Sequence, residues 1–342
     1  MLKYLLLTLI VTSSFALSSN ADVRINGAGA TFPYPVYSSW AFLYQRHNKT
    51  WINYQSIGSG GGIRQIKNRT VDFGATDAPL NKSSQREFKV LQFPAIIGGV
   101  VPVYNLQTLD KNELQLTGEL LAELFLGKIK KWNHPSIQKI NPTIELPDKD
   151  ITVIHRSDGS GTTSIFTAYL SDVSDIWAKE IGTGKSVKWP SGIGSKGNEG
   201  VANYTKRVKN SIGYVEFAYA QQNKLKTLKL QNKDGNFITP SFESFSDAAS
   251  SADWNPENGF DLWLTNSPGK NAWPISGATF ILLAKEKTEE NKKVVEFFDW
   301  CFNNGDKIAR KLTYVPLPND LKNLIRKYWQ SHGLYRSISV QD

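Results

Sequence analysis

The chain has 342 residues, of which 40% are hydrophobic, 12% aromatic and 21% charged, and 40 Lys and Arg stand against 31 Asp and Glu for a formal charge of +9. This mix excludes wholesale disorder and fibrous structure, and the length is that of two domains or one large elaborated one. A single cysteine excludes an internal disulfide framework and any Cys-rich metal site. The four histidines (His47, His134, His155 and His332) stand too far apart for metal-ligand spacing.

In chain order, residues 1–21 read as a secretory signal peptide. Lys3 precedes an apolar run from Leu5 to Val11, and Ser19 and Ala21 occupy the −3 and −1 positions of a cleavage site. Thr8 and Ser13–Ser14 leave that run short for a membrane anchor. No cysteine follows the cleavage site, so no lipid anchor is expected there, and no later stretch is long and apolar enough to span a bilayer.

Val23 to Asn26 then reads as a strand, GAGATFP (Gly27 to Pro33) as a loop, and PYPVYSSWAFLYQRH as a helix with Val36, Trp40, Leu43 and Tyr44 on its apolar face. WINYQSIG reads as a strand, GSGGG (Gly58 to Gly62) as a loop, IRQIKNR as a helix and VDFGATD as a strand. TGELLAELFLGK is a helix with Thr117 as N-cap and Gly127 as its stop. ITVIHR is a strand, SDGSG a loop and TTSIFTAYLSDV a helix with Ile165, Ala168 and Tyr169 on one face. In EENKKVVEFFDWCF, Val294, Phe297, Phe298 and Cys301 follow the inner stripe of a helix, so the lone thiol is expected to be buried and inert. The alternation of short β-rich runs with helical patterns argues an α/β fold. No linker composition separates two halves, so any crossing between domains is expected to run through ordered strands.

The positive charge is spread along the chain. The one dense cluster, Lys128, Lys130 and Lys131 in GKIKKW, comes with no reading motif, so nucleic acid is not an expected partner. A mild positive field that attracts small anions fits better.

Three segments share a layout of strand, small-residue loop and helix start: GAGATFP, GSGGG and SDGSGTT (Ser157 to Thr163). Glycine lets backbone approach a ligand, a helix start presents unpaired N–H groups, and Ser and Thr hydroxyls rotate to donate. None carries the Gly-Lys-Ser/Thr of a phosphate-binding P-loop, and none is a dinucleotide fingerprint. One such loop alone is most simply a turn with an N-cap; three together suggest a dry oxyanion site. Arg156 precedes the third loop and offers a bidentate fork, with Asp158 in reach to orient it, although a surface Arg–Asp pair has the same spacing. Asp77 either caps the next segment or faces the anion. In the second case it selects an oxyanion that still carries a proton, as inorganic phosphate does near neutral pH and sulfate does not.

With these residues in view the chain resembles the periplasmic phosphate-binding proteins, the solute-binding components of phosphate ABC importers. The resemblance runs nearly full length, through NGAGATFPYPVYSSW, YQSIGSGGGIRQIKNRTVDFGATDAPL, FPAIIGGVVPVYN, LGKIKKWN, HRSDGSGTTSIFTAYL, VKWPSGIGSKGNEGV, IGYVEFAYA, AWPISGATFILL and VVEFFDW. It implies a type II binding-protein fold of two α/β lobes, residues 22–99 plus 275–342 and residues 100–274, joined by hinge strands with the ligand cleft between them. It also implies phosphate held without metal or cofactor by Thr31, Phe32, Ser59, Arg156, Ser160, Gly161 and Thr162 as donors. Asp77 accepts the phosphate proton in this scheme, and Asp158 orients Arg156. The implied location is the periplasm, the implied partners are phosphate and the membrane permease subunits of an ABC transporter, and a monomer is expected. Gly60, Thr76 and His155 depart from the best-known members at positions that are not ligands, and His155 is expected as a solvated strand end.

The rival readings are narrower. Sulfate or molybdate would meet Asp77 as a repelling acceptor. Ser160 as the nucleophile of a hydrolase lacks a GxSxG elbow and an evident base. A cell-surface adhesin on the same fold differs by location.

Overall fold

The computed structural model describes residues 24–109 and 114–335, so the expected signal peptide lies outside the described residues. Its main sheet contains β1 (Arg24–Gly29), β2 (Trp51–Ser56), β3 (Phe73–Thr76), β4 (Val90–Tyr104), β5 (Thr152–Arg156), β6 (Ile193–Ser195), β7 (Ser211–Glu216) and β8 (Ser276–Ala284). Their order is β2-β1-β3-β8-β4-β7-β5-β6. β1 runs parallel to β2 and β3, and β5 runs parallel to β6 and β7, while β8 and β4 are antiparallel insertions in the middle. A short strand, Lys226–Thr227, adds to β4, and a separate small sheet joins Gln115–Leu116, Lys229–Gln231 and Phe237–Ile238. The α/β class read from the alternation is the class observed.

β4 holds the two halves together. All 15 of its residues are buried, as VLQFPAIIGGVVPVY requires of a strand covered on both faces. Its first part, Val90 to Gly99, pairs with β8, and Val100 to Tyr104 pair with β7. The chain therefore passes from one half to the other within an unbroken strand, and it returns beside the same point, where the Val100 amide donates to the Ile275 carbonyl (2.8 Å).

Five helices position the site or its support: α1 (Tyr34–Asn48), α2 (Ser59–Lys67), α3 (Gly161–Val173), α4 (Gly197–Arg207) and α5 (Thr288–Asn304). α1 and α5 pack through aromatic rings, Tyr37 on Phe298 (5.8 Å between centroids) and Tyr44 on Phe297 (5.1 Å). The buried face of α1 is Val36, Tyr37, Trp40 and Tyr44; Leu43 is only half-buried because the stripe Tyr37–Trp40–Tyr44 is the one turned to α5. Val294, Phe297, Phe298 and Cys301 all lie inside, and burial pushes the thiol up, above its ordinary range. Thr117 caps the helix Gly118–Phe125 by accepting the Leu120 amide, and Gly127 turns out of it at φ +72°.

Two of the three loops are shorter than the sequence suggested. Gly27, Ala28 and Gly29 complete β1, and Ser59 to Gly62 are already the first turn of α2. The physical reason is close packing: a Cβ on Gly62 would lie 2.5 Å from the Gly29 Cα and 2.8 Å from the Ala75 carbonyl. Glycine there seats the helix start directly on the ends of β1 and β3, so a run that reads as flexible is held rigid.

Candidate functional site

The C-terminal ends of β1, β3 and β5 and the starts of α2 and α3 converge where the two halves meet. Thr31 and Phe32 follow β1, Ser59 opens α2, Asp77 follows β3, Arg156 ends β5, and Ser160 caps α3, whose first residues are Gly161 and Thr162. Three strands, β8, β4 and β7, separate β3 from β5 in the sheet, yet the loops that follow β3 and β5 come together here. The Gly60 amide donates to the Gly159 carbonyl (2.8 Å), and the Gly161 amide donates to Ser59 Oγ (3.1 Å). None of Thr31, Phe32, Ser59, Asp77, Arg156, Ser160 and Thr162 is more than 3% exposed. Residues from four separate stretches of sequence are thus all buried at this junction.

Arg156 is paired as a fork. Its Nε donates to Asp158 Oδ1 (2.7 Å) and one terminal nitrogen donates to Asp158 Oδ2 (2.6 Å). The other terminal nitrogen is buried without a partner, a donor fixed in direction and not satisfied by the protein. Asp158 also accepts the Gly197 amide (3.1 Å). Burial pushes the Asp158 carboxyl up, but the bonds and charge of Arg156 outweigh it and hold the group below its ordinary value.

Asp77 stands opposite. Its Oδ1 accepts the Thr279 hydroxyl (2.7 Å) and its Oδ2 faces Ser59 Oγ (3.5 Å). Ser59 Oγ already accepts the amides of Asp77 (3.2 Å) and Gly161 (3.1 Å), so its proton is left to donate. Desolvation raises the Asp77 carboxyl from 3.8 to about 7, against the opposing pull of Thr279, Arg156 and Ser59. A group that changes protonation near neutrality, set among donors, can either receive a proton from a ligand or supply one. It does not cap the next helix, Lys82–Glu87; Asn81 does.

The sequence reading missed several supports. Thr279 lies in SGATFILLA, a wholly buried strand in which its hydroxyl, flanked by Ala278 and Phe280, is the available signal. The strand register shifts between Thr279 and Phe280, a bulge of the kind that redirects a side chain beside a site. Asn198 follows Gly197 at the start of α4, the same small-residue helix start as the three loops, and it binds both Thr31 and Thr162. Tyr314 lies 2.6 Å from the Phe32 carbonyl and 2.8 Å from Glu216 Oε2. One phenolic proton cannot serve both. Glu216 Oε2 also accepts the Ala218 amide (2.9 Å), and burial raises its carboxyl well above its ordinary value. His155 is not the solvated strand end expected: it is half-buried, stacked on Trp189 at 4.9 Å, and burial lowers its pKa despite a contact with the Arg156 carbonyl.

Among the described residues no three of His, Cys, Asp and Glu are grouped to hold a metal. The chemistry on offer is hydrogen bonding from uncharged donors and one guanidinium, with one carboxyl that can accept.

Residues 16–304 match the PBP superfamily domain. The phosphate-binding protein PstS of Pasteurella multocida is 53% identical over 97% of this chain and 96% of its own length. Among solved structures, a high-affinity periplasmic phosphate-binding protein, PfluDING, bound with phosphate, superposes with a TM-score of 0.70 at 18% identity over 89% of this chain and 93% of that one. An ABC-type phosphate transport receptor from Vibrio cholerae gives a TM-score of 0.55 at 18% identity over 86% of this chain and 100% of that one. These likenesses bear out the two-lobe binding-protein architecture, and the chain belongs to the PstS family of phosphate-binding proteins within the PBP superfamily.

Proposed function

We propose that the chain binds inorganic phosphate in the cleft between two lobes and delivers it to the membrane permease of an ABC importer. The observation that carries this is a cluster of buried polar groups: Ser59 and the start of α3 meet Asp77, whose carboxyl is raised to about 7, and one arm of Arg156 stands buried without a protein partner. Thr31, Phe32, Ser59, Arg156, Ser160, Gly161 and Thr162 donate to the phosphate oxygens, the Gly161 amide exchanging Ser59 Oγ for phosphate as ligand enters, and Asp77 accepts the phosphate proton. Hydrogen bonds to a charged group contribute about 1.5–3 kcal/mol each, so several together offset much of an anion's lost hydration.

The lobes are residues 22–99 with 275–342 and residues 100–274. The change of partner along β4 at Gly99 and Val100 supports that division. Hinge bending at these strands opens the cleft, and ligand favours closure through contacts made only in the closed form. The protein is a monomeric carrier and not an enzyme, exported to the periplasm by residues 1–21. The names of its relatives support the same ligand and route.

Calorimetric titration of the purified chain with phosphate and with sulfate tests the reading: tight one-to-one phosphate binding and weak sulfate binding are expected, and equal affinity or no heat would refute it. Loss of phosphate uptake by cells lacking the protein tests delivery.

A further inference from the structure

Thr31 and Thr162 come from opposite halves, and both hydroxyl oxygens are met by one side chain. Asn198 Nδ2 donates to Thr31 Oγ1 (2.7 Å) and to Thr162 Oγ1 (3.1 Å), while the Asn198 backbone amide also donates to Thr31 Oγ1 (3.2 Å). All three residues are buried, Asn198 completely.

A threonine hydroxyl has one proton and two acceptor lone pairs. On Thr31 both lone pairs are taken, so donation by its proton is the one hydrogen-bonding function left. On Thr162 a lone pair is likewise occupied. The carboxamide cannot turn over to reverse this, because Asn198 Oδ1 accepts the Glu216 amide (2.9 Å), and a flip would set an NH2 against that N–H. The polarity therefore runs one way, from the backbone of β7 through Asn198 to the two hydroxyls, and a chain of hydrogen bonds polarised in one sense strengthens its last donors.

We infer that Asn198 is a positioning residue for the anion site: it biases Thr162 toward donation within their shared half, and it makes Thr31 an obligate donor only when the halves are together. This rests on the site residues proposed above. Asn198 sits in the turn whose Gly197 amide binds Asp158, so one helix start orders both the hydroxyl donors and the arginine.

A double-mutant cycle tests it, with inorganic phosphate titrated calorimetrically into the full exported chain. N198A is combined with the isosteric pair T31V and T162V, and ligand-free unfolding midpoints are recorded for each variant. N198A is expected to raise the phosphate Kd about 10- to 100-fold in the native background, the range for orphaned buried hydrogen-bonding groups. With T31V and T162V already in place, it should raise Kd less than about threefold. An equal factor in both backgrounds would mean that Asn198 only packs, and would overturn the inference, as would an unchanged Kd in N198A alone. If T31V with T162V binds phosphate as tightly as the parent, the site assignment itself fails. N198S is carried in parallel, so the cycle survives if N198A does not fold.

Discussion

Asp77 is the residue on which discrimination between anions turns. Phosphate keeps a proton through the neutral range and brings it to the Asp77 carboxylate, whereas sulfate has none. Sulfate must either face the ionised carboxylate or wait for Asp77 to be protonated. Two unit charges at about 3 Å repel by roughly 5 kcal/mol at an effective dielectric constant of 20. Protonating a carboxyl whose pKa is about 7 costs about 1.4 kcal/mol for each pH unit above that value. The second route is cheaper, so it sets the penalty. Sulfate affinity relative to phosphate should fall about tenfold per pH unit between pH 7 and 9, and level off below pH 6. In Asp77→Asn the amide donates to sulfate without titrating, so that slope disappears. Phosphate there meets a neutral amide oxygen, a weaker acceptor than the carboxylate, and weakens by about 10- to 100-fold. Calorimetry with both anions from pH 6 to 9, on the parent and the variant, reads the slopes directly. A ratio independent of pH in the parent, or the same slope in Asp77→Asn, would refute the assignment of Asp77.

The same carboxyl makes a prediction about the ligand-free protein. Its folded pKa lies above its unfolded value of 3.8, so its contribution to stability is full below about pH 4 and is lost as pH rises through 7. Asp77→Asn should therefore raise the unfolding midpoint at pH 8 but not at pH 4, by a free energy on the order of 4 kcal/mol at most; a variant less stable than the parent at pH 8 would contradict this. In Gly161→Ala the added Cβ would lie 2.5 Å from both Asp77 Oδ2 and Ser59 Oγ. Overpacking of about 1–3 kcal/mol should weaken phosphate by roughly 10- to 100-fold with little loss of helix, checked by titration and circular dichroism. Arg156→Lys keeps the charge but loses the fork that engages Asp158 through two nitrogens. It should raise the phosphate Kd by about 100-fold, and an unchanged Kd would show that only net charge matters at that position.

The site was legible because its chemistry lies in contiguous small-residue motifs next to strand ends, where glycine and hydroxyl patterns survive in one dimension. Arg156 with Asp158, two residues apart, and Ser160 with Thr163, a cap three residues on, are local and so readable. Thr279 is not, because its link to Asp77 spans 202 positions and depends on strand pairing. Asn198 reaches Thr31 across 167 positions, and nothing near Asn198 in sequence announces the partner. The misread of Ser59 to Gly62 as loop has a physical cause. Glycine disfavours helix by its conformational freedom, but here the lack of a Cβ lets α2 rest on β1 and β3, and tertiary packing outweighs propensity. His155 departs from the expected solvated strand end for the same reason, since the Trp189 ring that covers it lies 34 residues away.

Phosphate capture requires the buried donors to hold one tetrahedral anion that shares its proton with Asp77. The most direct measurement is to purify the chain without added phosphate, unfold it in acid and assay the solution for inorganic phosphate. One phosphate per chain is the predicted result, with rebinding at the same ratio after refolding in phosphate. A chain that releases none and takes up none on titration would contradict the account.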